Sequence, residues 1–134
     1  KEEGEYQQKR SFYVTDKGIL KAQLLRAEET MVIATQDNQI ILFSFNTGTQ
    51  ISKFSAHENT ITGVGVSKEH LITCSLDSTI KIREITNVET PYPILLYDHE
   101  EGVLSMDVGS EDGKDFLVSI DINRHIVLRD LENP

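Results

Sequence analysis

Leu76-Asp77-Ser78-Thr79-Ile80-Lys81-Ile82-Arg83-Glu84-Ile85 sets an aspartate in a tight turn and follows it with a strand rich in isoleucine. Two other stretches copy it: Gln36-Asp37-Asn38-Gln39-Ile40-Ile41-Leu42-Phe43-Ser44-Phe45 upstream, and Ile122-Asn123-Arg124-His125-Ile126-Val127-Leu128-Arg129-Asp130-Leu131 downstream. An Asp or Asn side chain bonds the backbone N–H two residues on and so fixes a reversal between two strands. In the middle copy Ile80 and Ile82 share one face while Lys81 and Arg83 share the other, as the two-residue period of a strand requires. Ile40 to Phe45 is apolar on both faces apart from Ser44, which suits a strand covered on both sides.

With the Asp or Asn as marker, the periods are 77 − 37 = 40 and 123 − 77 = 46 residues. Repeats of that length built from short strands predict the blades of a β-propeller. Turn residues place the strands. Ser11 to Val14 is a candidate strand of a preceding blade. Ile19 to Leu25, Met31 to Thr35, Ile40 to Phe45 and Gln50 to Phe54 form the first unit, with Arg26 to Glu29 as a loop. Ile61 to Val66, Leu71 to Ser75, Ile80 to Ile85 and Pro93 to Tyr97 form the second. Val103 to Val108, an acidic loop from Ser110 to Lys114, Phe116 to Ile120 and Ile126 to Leu131 form the third, whose fourth strand is missing. The fold expected is all-β, with three consecutive four-stranded antiparallel blades. Residues 1–16 are a linker or the end of a preceding blade, 17–54 blade 1, 55–97 blade 2 and 98–134 blade 3. Closed propellers need at least four blades, so a segment of a larger propeller is expected, with the remaining blades among its partners. A self-contained β-sandwich is the alternative, and it requires pairing between the first and last strands.

Net charge is −9 over 134 residues, which opposes binding to phosphate backbones or anionic lipid and favours protein partners, basic ones included. No apolar run reaches the length of a membrane span, and the charged start does not fit a signal peptide. Cys74 is the single cysteine and no Asn-x-Ser/Thr site occurs, which points to a reducing, cytoplasmic setting.

The units resemble WD repeats, which open on Gly-His, carry an Asp in the turn between their second and third strands, and end the third strand on Trp-Asp. Ala56-His57 and Asp98-His99 stand where Gly-His would be. Asp37, Asp77 and Asn123 hold the turn position, while Phe43-Ser44, Arg83-Glu84 and Arg129-Asp130 replace Trp-Asp in a chain without tryptophan. The likeness covers about residues 17 to 131. It implies a structural hydrogen-bond network of His57, Asp77 and either Thr73 or Ser75 in the middle unit, with His99 and Asn123 as the third unit's members and Asp37 as the first's. Gln36-Asp37-Asn38, Gly48 nine residues before His57, and Leu76-Asp77-Ser78-Thr79-Ile80-Lys81 are similar to the propellers that follow BEACH domains, large scaffolds of membrane traffic and signalling.

Rival chemistry is weakly supported. Gly63-Val64-Gly65-Val66-Ser67-Lys68 lacks the spacing of a nucleotide fingerprint and lies within a strand. Cys74 reads as a buried structural cysteine rather than a thiol nucleophile paired with His57. His57, His70, His99 and His125 have no metal-ligand spacing, and Glu111, Asp112 and Asp115 lack the pattern of a calcium loop. No cofactor, metal or catalytic residue is expected. A small-ligand-binding or enzymatic propeller would need polar residues converging on one pocket. The WD likeness implies instead a binding rim made of the loops entering each first strand and the turns before each third strand. That rim carries Glu58, Asn59, Thr60, Glu100 and Glu101 together with Gln36, Leu76 and Ile122. Leu76 and Ile122 are either exposed anchors for a protein partner or residues folded inward between blades. The function expected is a non-catalytic protein-interaction scaffold.

Overall fold

The structure, a computed structural model, describes residues 6–25 and 29–132. Parts of the expected linker (1–5), of the expected loop (26–28) and of the C-terminus (133–134) lie outside the described residues. Among the described residues eleven strands follow in chain order: β1 Ile19–Leu25, β2 Thr30–Thr35, β3 Gln39–Ser44, β4 Thr49–Ser55, β5 Ile61–Ser67, β6 His70–Ser75, β7 Ile80–Glu84, β8 Ile94–Leu96, β9 Val103–Glu111, β10 Lys114–Asp121 and β11 Ile126–Asp130. They form antiparallel meanders: two four-stranded sheets, β1-β2-β3-β4 and β5-β6-β7-β8, and one three-stranded sheet, β9-β10-β11. β1 pairs with β2 and β11 with β10, in different sheets, so the pairing of first and last strands that a sandwich requires is not made. Ser11 to Val14 forms no strand; Phe12 instead lies edge-on to Phe43, with ring centroids 5.2 Å apart.

The tight turn between the second and third strands has the same backbone in all three sheets. Asn38, Ser78 and Arg124 adopt left-handed φ of 67°, 75° and 68°. Their N–H groups donate to Thr35, Ser75 and Asp121 at 3.2, 3.2 and 3.0 Å. The expected acidic loop at 110–114 is tighter than its composition suggests. Asp112 and Gly113 both take positive φ (54° and 77°), the Asp-Gly two-residue hairpin whose twist matches its strands, so β9 runs to Glu111 and β10 starts at Lys114.

The two larger apolar clusters lie between sheets. Val32, Ala34, Ile40 and Leu42 of the first sheet pack against Ile61 and Leu71 of the second. The opposite face of the second sheet, Ile72, Cys74, Ile80 and Ile82, packs against Val103 and Leu117 of the third. A third cluster, Ile33, Ile41 and Phe43, lies on the first sheet and is covered in part by Val14 and Met31. β5 sits against β1 on one side and β9 on the other. The approach to β9 depends on Gly63 and Gly65: a Cβ at Gly63 would lie 2.6 Å from Met106 Cγ, and one at Gly65 2.7 Å from Met106 Cε. These glycines therefore serve sheet packing, within a strand.

Gly65→Val overfills this seam and is expected to cost about 1–3 kcal/mol. Glu111→Ala, on an exposed hairpin, should leave the urea midpoint unchanged. Equal midpoints for the two variants would show that the two sheets do not meet at Gly65.

Candidate functional site

Along one end of the sheets, each turn between the second and third strands is tied to the loop that enters the first strand. Gln36, Leu76 and Ile122 donate their N–H groups to the carbonyls of Gly18, Thr60 and Gly102 at 2.8, 3.0 and 2.9 Å. Three residues before each acceptor stand Thr15, His57 and His99.

His57 is buried. Its Nδ1 lies 3.0 Å from Asp77 Oδ2, and its Nε2 lies 2.8 Å from Thr73 Oγ1. Burial pulls the His57 pKa below its ordinary value against the opposing charge of Asp77, so the neutral ring donates from Nδ1 and accepts the Thr73 hydroxyl at Nε2. Asp77 also accepts the N–H and hydroxyl of Thr79 and the N–H of Glu58. Burial alone would raise its pKa; these donors and His57 outweigh burial and hold the carboxyl at about 2. Ser75 stands outside the His57 contacts: its hydroxyl donates to Asn59 O at 3.1 Å and accepts Asp77 N–H at 3.0 Å. His57, Thr73 and Asp77 meet although the tryptophan of the WD pattern is absent.

In the third sheet the acid has moved. His99 Nδ1 lies 2.8 Å from Asp121 Oδ2 and its Nε2 2.7 Å from Ser119 Oγ. Asn123, the residue in the turn position of Asp77, does not supply the acid; it donates its own N–H to Asp121 Oδ1 at 2.8 Å. Asp121 occupies the place of Ser75, where it reaches both the histidine and the turn. Its pKa is lowered because the His99, His125 and Asn123 donors outweigh burial. The histidine is thus 22 residues before its acid rather than 20. Aligning Ser119-x-Asp121 with Thr73-x-Ser75 would have revealed the shift in the sequence. In the first sheet Thr15 replaces the histidine, and Asp37 bonds Thr35 within its own turn.

The tryptophan positions have also diverged. Phe43 packs on Phe12. Arg83 is buried with its guanidinium carbon 4.9 Å from the ring centroid of Phe54. Arg129 holds Asp98 through Nε and Nη2. A further clasp missing from the sequence reading ties the second and third sheets: Ser67 donates to Asp115 at 2.6 Å, and Lys68 pairs with Glu132.

The Leu76–Thr60 and Ile122–Gly102 backbone bonds place the turn of the second and of the third sheet beside the loop that enters the same sheet. Glu58, Asn59, Glu100, Glu101 and Gln36 are exposed, and Thr60 is half-buried. The two apolar positions differ: Leu76 is half-buried against Gly102, whereas Ile122 is 48% exposed. Cys74 is fully buried and burial pushes its thiol up to about 11, while both nitrogens of His57 are already bonded, so no thiol–imidazole pair exists. Among the described residues no group of three His, Cys, Asp or Glu side chains could hold a metal, and Asp115 is engaged by Ser67.

Three consecutive antiparallel meander sheets stacked face to face have the architecture of WD-repeat propeller blades. The chain is similar to the solved structure of U3-55K (TM-score 0.78, 16% identity, 92% of this chain and 39% of that one) and to the crystal structure of the RRP9 WD40 repeats (TM-score 0.78, 16% identity, 92% and 38%). It therefore spans well under half the length of these structures. No protein-family model and no curated protein matches it.

The unfolded Asp77 carboxyl titrates near its ordinary 3.8 and the folded one at about 2. Its contribution is therefore complete above pH ~4 and lost as pH falls through that window. Asp77→Ala is expected to cost about 1–3 kcal/mol at neutral pH by leaving donors unpaired, and to flatten the acid limb of stability. Melting curves should also show Asp121→Ala far more damaging than Asn123→Ala; the reverse order would return the acid's role to the turn position.

Proposed function

We propose that this chain is a non-catalytic protein-interaction scaffold, part of an intracellular WD-repeat propeller, whose rim binds a protein partner. The observation that carries this reading is Ile122: a large apolar side chain 48% exposed at the rim, beside a loop bearing the exposed carboxylates of Glu100 and Glu101. Apolar centres rimmed by charge are how protein surfaces bind one another. Glu58 and the net charge of −9 favour a basic partner. The polar side chains that would serve catalysis are instead bonded to one another in the His57 and His99 locks.

The remaining blades of the same propeller are the other partner. Shifting by the 46-residue period, Ile120, Ile126 and Leu128 correspond to Cys74, Ile80 and Ile82. The latter are buried against the third sheet, whereas Ile120, Ile126 and Leu128 are exposed. A following blade would cover them as the third sheet covers the second. The finer reading, a BEACH-type membrane-traffic or signalling protein, rests on the resemblance of Gln36-Asp37-Asn38 and Leu76 to Lys81 alone. A BEACH domain in the same polypeptide would support it, and a different flanking domain would replace it.

Affinity recovery read by mass spectrometry, paired with thermal unfolding of the full chain, tests the rim. Ile122→Ser should abolish partner recovery at unchanged melting temperature. Leu76→Ser should cost stability, about 1 kcal/mol or more for a half-buried leucine. Full recovery by a stable Ile122→Ser variant would place binding elsewhere. For the uncovered face, Ile126→Cys in the full chain should label slowly with a thiol reagent; labelling as fast as at an exposed control site would remove the case for a covering blade.

A further inference from the structure

The β9–β10 hairpin is longer than its counterpart in the second sheet. Ser67 and His70 are the last pair of β5 and β6. Gly109 and Phe116 hold the same place in the third sheet, ten residues after His99 and seven before Asn123, as Ser67 and His70 stand to His57 and Asp77. Two more pairs follow them, Ser110–Asp115 and Glu111–Lys114. The extension is fastened on the side of the second sheet: Asp115 accepts from Ser67, and Glu132 accepts the Asp115 N–H and pairs with Lys68.

The strand register puts Glu111, Lys114, Phe116, Leu128 and Asp130 on the other face, away from Leu117, which is buried against the second sheet. With Asp112 at the turn they line a groove of about 680 Å³, at the end of the sheet opposite the rim. Its floor is apolar: Phe116 is half-buried across Gly109, and Leu128 is 69% exposed. Three carboxylates surround that floor against one ammonium, Lys114. The side chains of Glu111 and Asp112 have no hydrogen-bond or ion-pair partner among the described residues, and Asp130 accepts only the N–H of Glu132. A following sheet need not close this place. Shifted by the 46-residue period, Phe116, Leu128 and Asp130 fall on His70, Ile82 and Glu84. Those three line a cavity of about 250 Å³ that stays open although the third sheet is stacked on their face.

We propose that this groove docks a basic segment of a partner protein, with an arginine side chain lying against Phe116, its guanidinium among Glu111, Asp112 and Asp130, and a neighbouring apolar side chain on Leu128. The fold already seats an arginine on a phenylalanine twice: Arg10 on Phe12 and Arg83 on Phe54, at 4.7 and 4.9 Å from the ring centroids. A guanidinium stacks on an aromatic face and offers its planar donors to carboxylates at the same time, which suits an aromatic floor with acids around it. A second copy of this chain is a poor occupant, because two chains of net charge −9 repel one another. The groove lies apart from the rim and does not depend on it.

The test is a titration of the ¹⁵N-labelled full chain with three probes: an acetylated, amidated peptide alternating leucine and arginine, the same peptide with neutral citrulline for arginine, and free spermine. The backbone N–H resonances of Gly109, Phe116 and Leu128 should shift saturably with the arginine peptide and stay put with the citrulline one, while those of Glu100 and Glu101 at the rim do not move. Glu111→Gln combined with Asp130→Asn should weaken binding at least tenfold, and Phe116→Leu several-fold, with melting curves recording whether each variant folds. Glu111 is exposed on the hairpin, so Glu111→Gln alone keeps the test open if the double variant does not fold; several-fold weaker binding is expected. Ile122→Ser should bind the peptide as the wild type does, which separates this groove from the rim. Equal shifts at rim and groove, citrulline peptide or spermine bound as tightly as the arginine peptide, loss of binding in Ile122→Ser, or wild-type binding by a folded double variant would each overturn the proposal.

Discussion

Every sheet in this chain has two apolar faces, and none can bury both by itself. The two larger apolar clusters form where one sheet lies on another, so stacking is what holds the fold together, while the outer face of the first sheet is covered in part by Val14 and Met31. Val32, Ala34, Ile40 and Leu42 meet Ile61 and Leu71, and on the far side of the second sheet Ile72, Ile80 and Ile82 meet Val103 and Leu117. The second sheet is thus the central one, covered on both sides. Its small residues Gly63 and Gly65 let Met106 of the third sheet come close enough for that covering to work.

Between the second and third sheets the Ser67–Asp115 and Lys68–Glu132 contacts add polar ties, and within each of these two sheets a polar lock fastens the entering loop to the tight turn. A neutral His57 bridges Thr73 of one strand and Asp77 of the next turn, while Asp77 accepts the backbone N–H of Glu58 from the entering loop. In the third sheet the lock closes with its acid on the strand, at Asp121, rather than in the turn. The geometry demanded by a buried imidazole is an acceptor at Nδ1 and a hydroxyl at Nε2. Either position can provide the acceptor, because both lie beside the same tight turn. The first sheet has no histidine and retains only the turn, closed by Thr35 and Asp37.

The position six residues beyond the turn marker shows the same tolerance with a different outcome. Phe43 packs on Phe12, Arg129 pairs with Asp98, and Arg83 packs on Phe54 with two donors unpaired. The first two are self-sufficient. The third carries a charge that no described residue pairs, which separates it from an ordinary packing residue.

The strands and their order were legible in the sequence because alternation in Ile80 to Arg83 and the turn chemistry of Asp37 and Asp77 are local properties. His57 and Asp77 could be named as partners because the repeat spacing is regular there. Asp121 is masked by the marker residue Asn123 in the expected turn; alignment of Ser119-x-Asp121 with Thr73-x-Ser75 brings it forward as a candidate, and the folded backbone shows that it is the acid that reaches His99. The Asp112-Gly113 hairpin read as an acidic loop because its charges suggested solvent, while its conformation depended on two positive φ angles. Leu76 and Ile122 looked equivalent in sequence and differ because the third sheet lies over one and nothing described lies over the other. By itself the sequence determined the strand pattern, the turns and the repeat, since each is set by neighbours a few residues away. Tertiary structure alone decided which acid closes each lock, which apolar rim residue is covered and which arginine no described residue pairs, because those depend on contacts between residues that lie tens of residues apart in the chain.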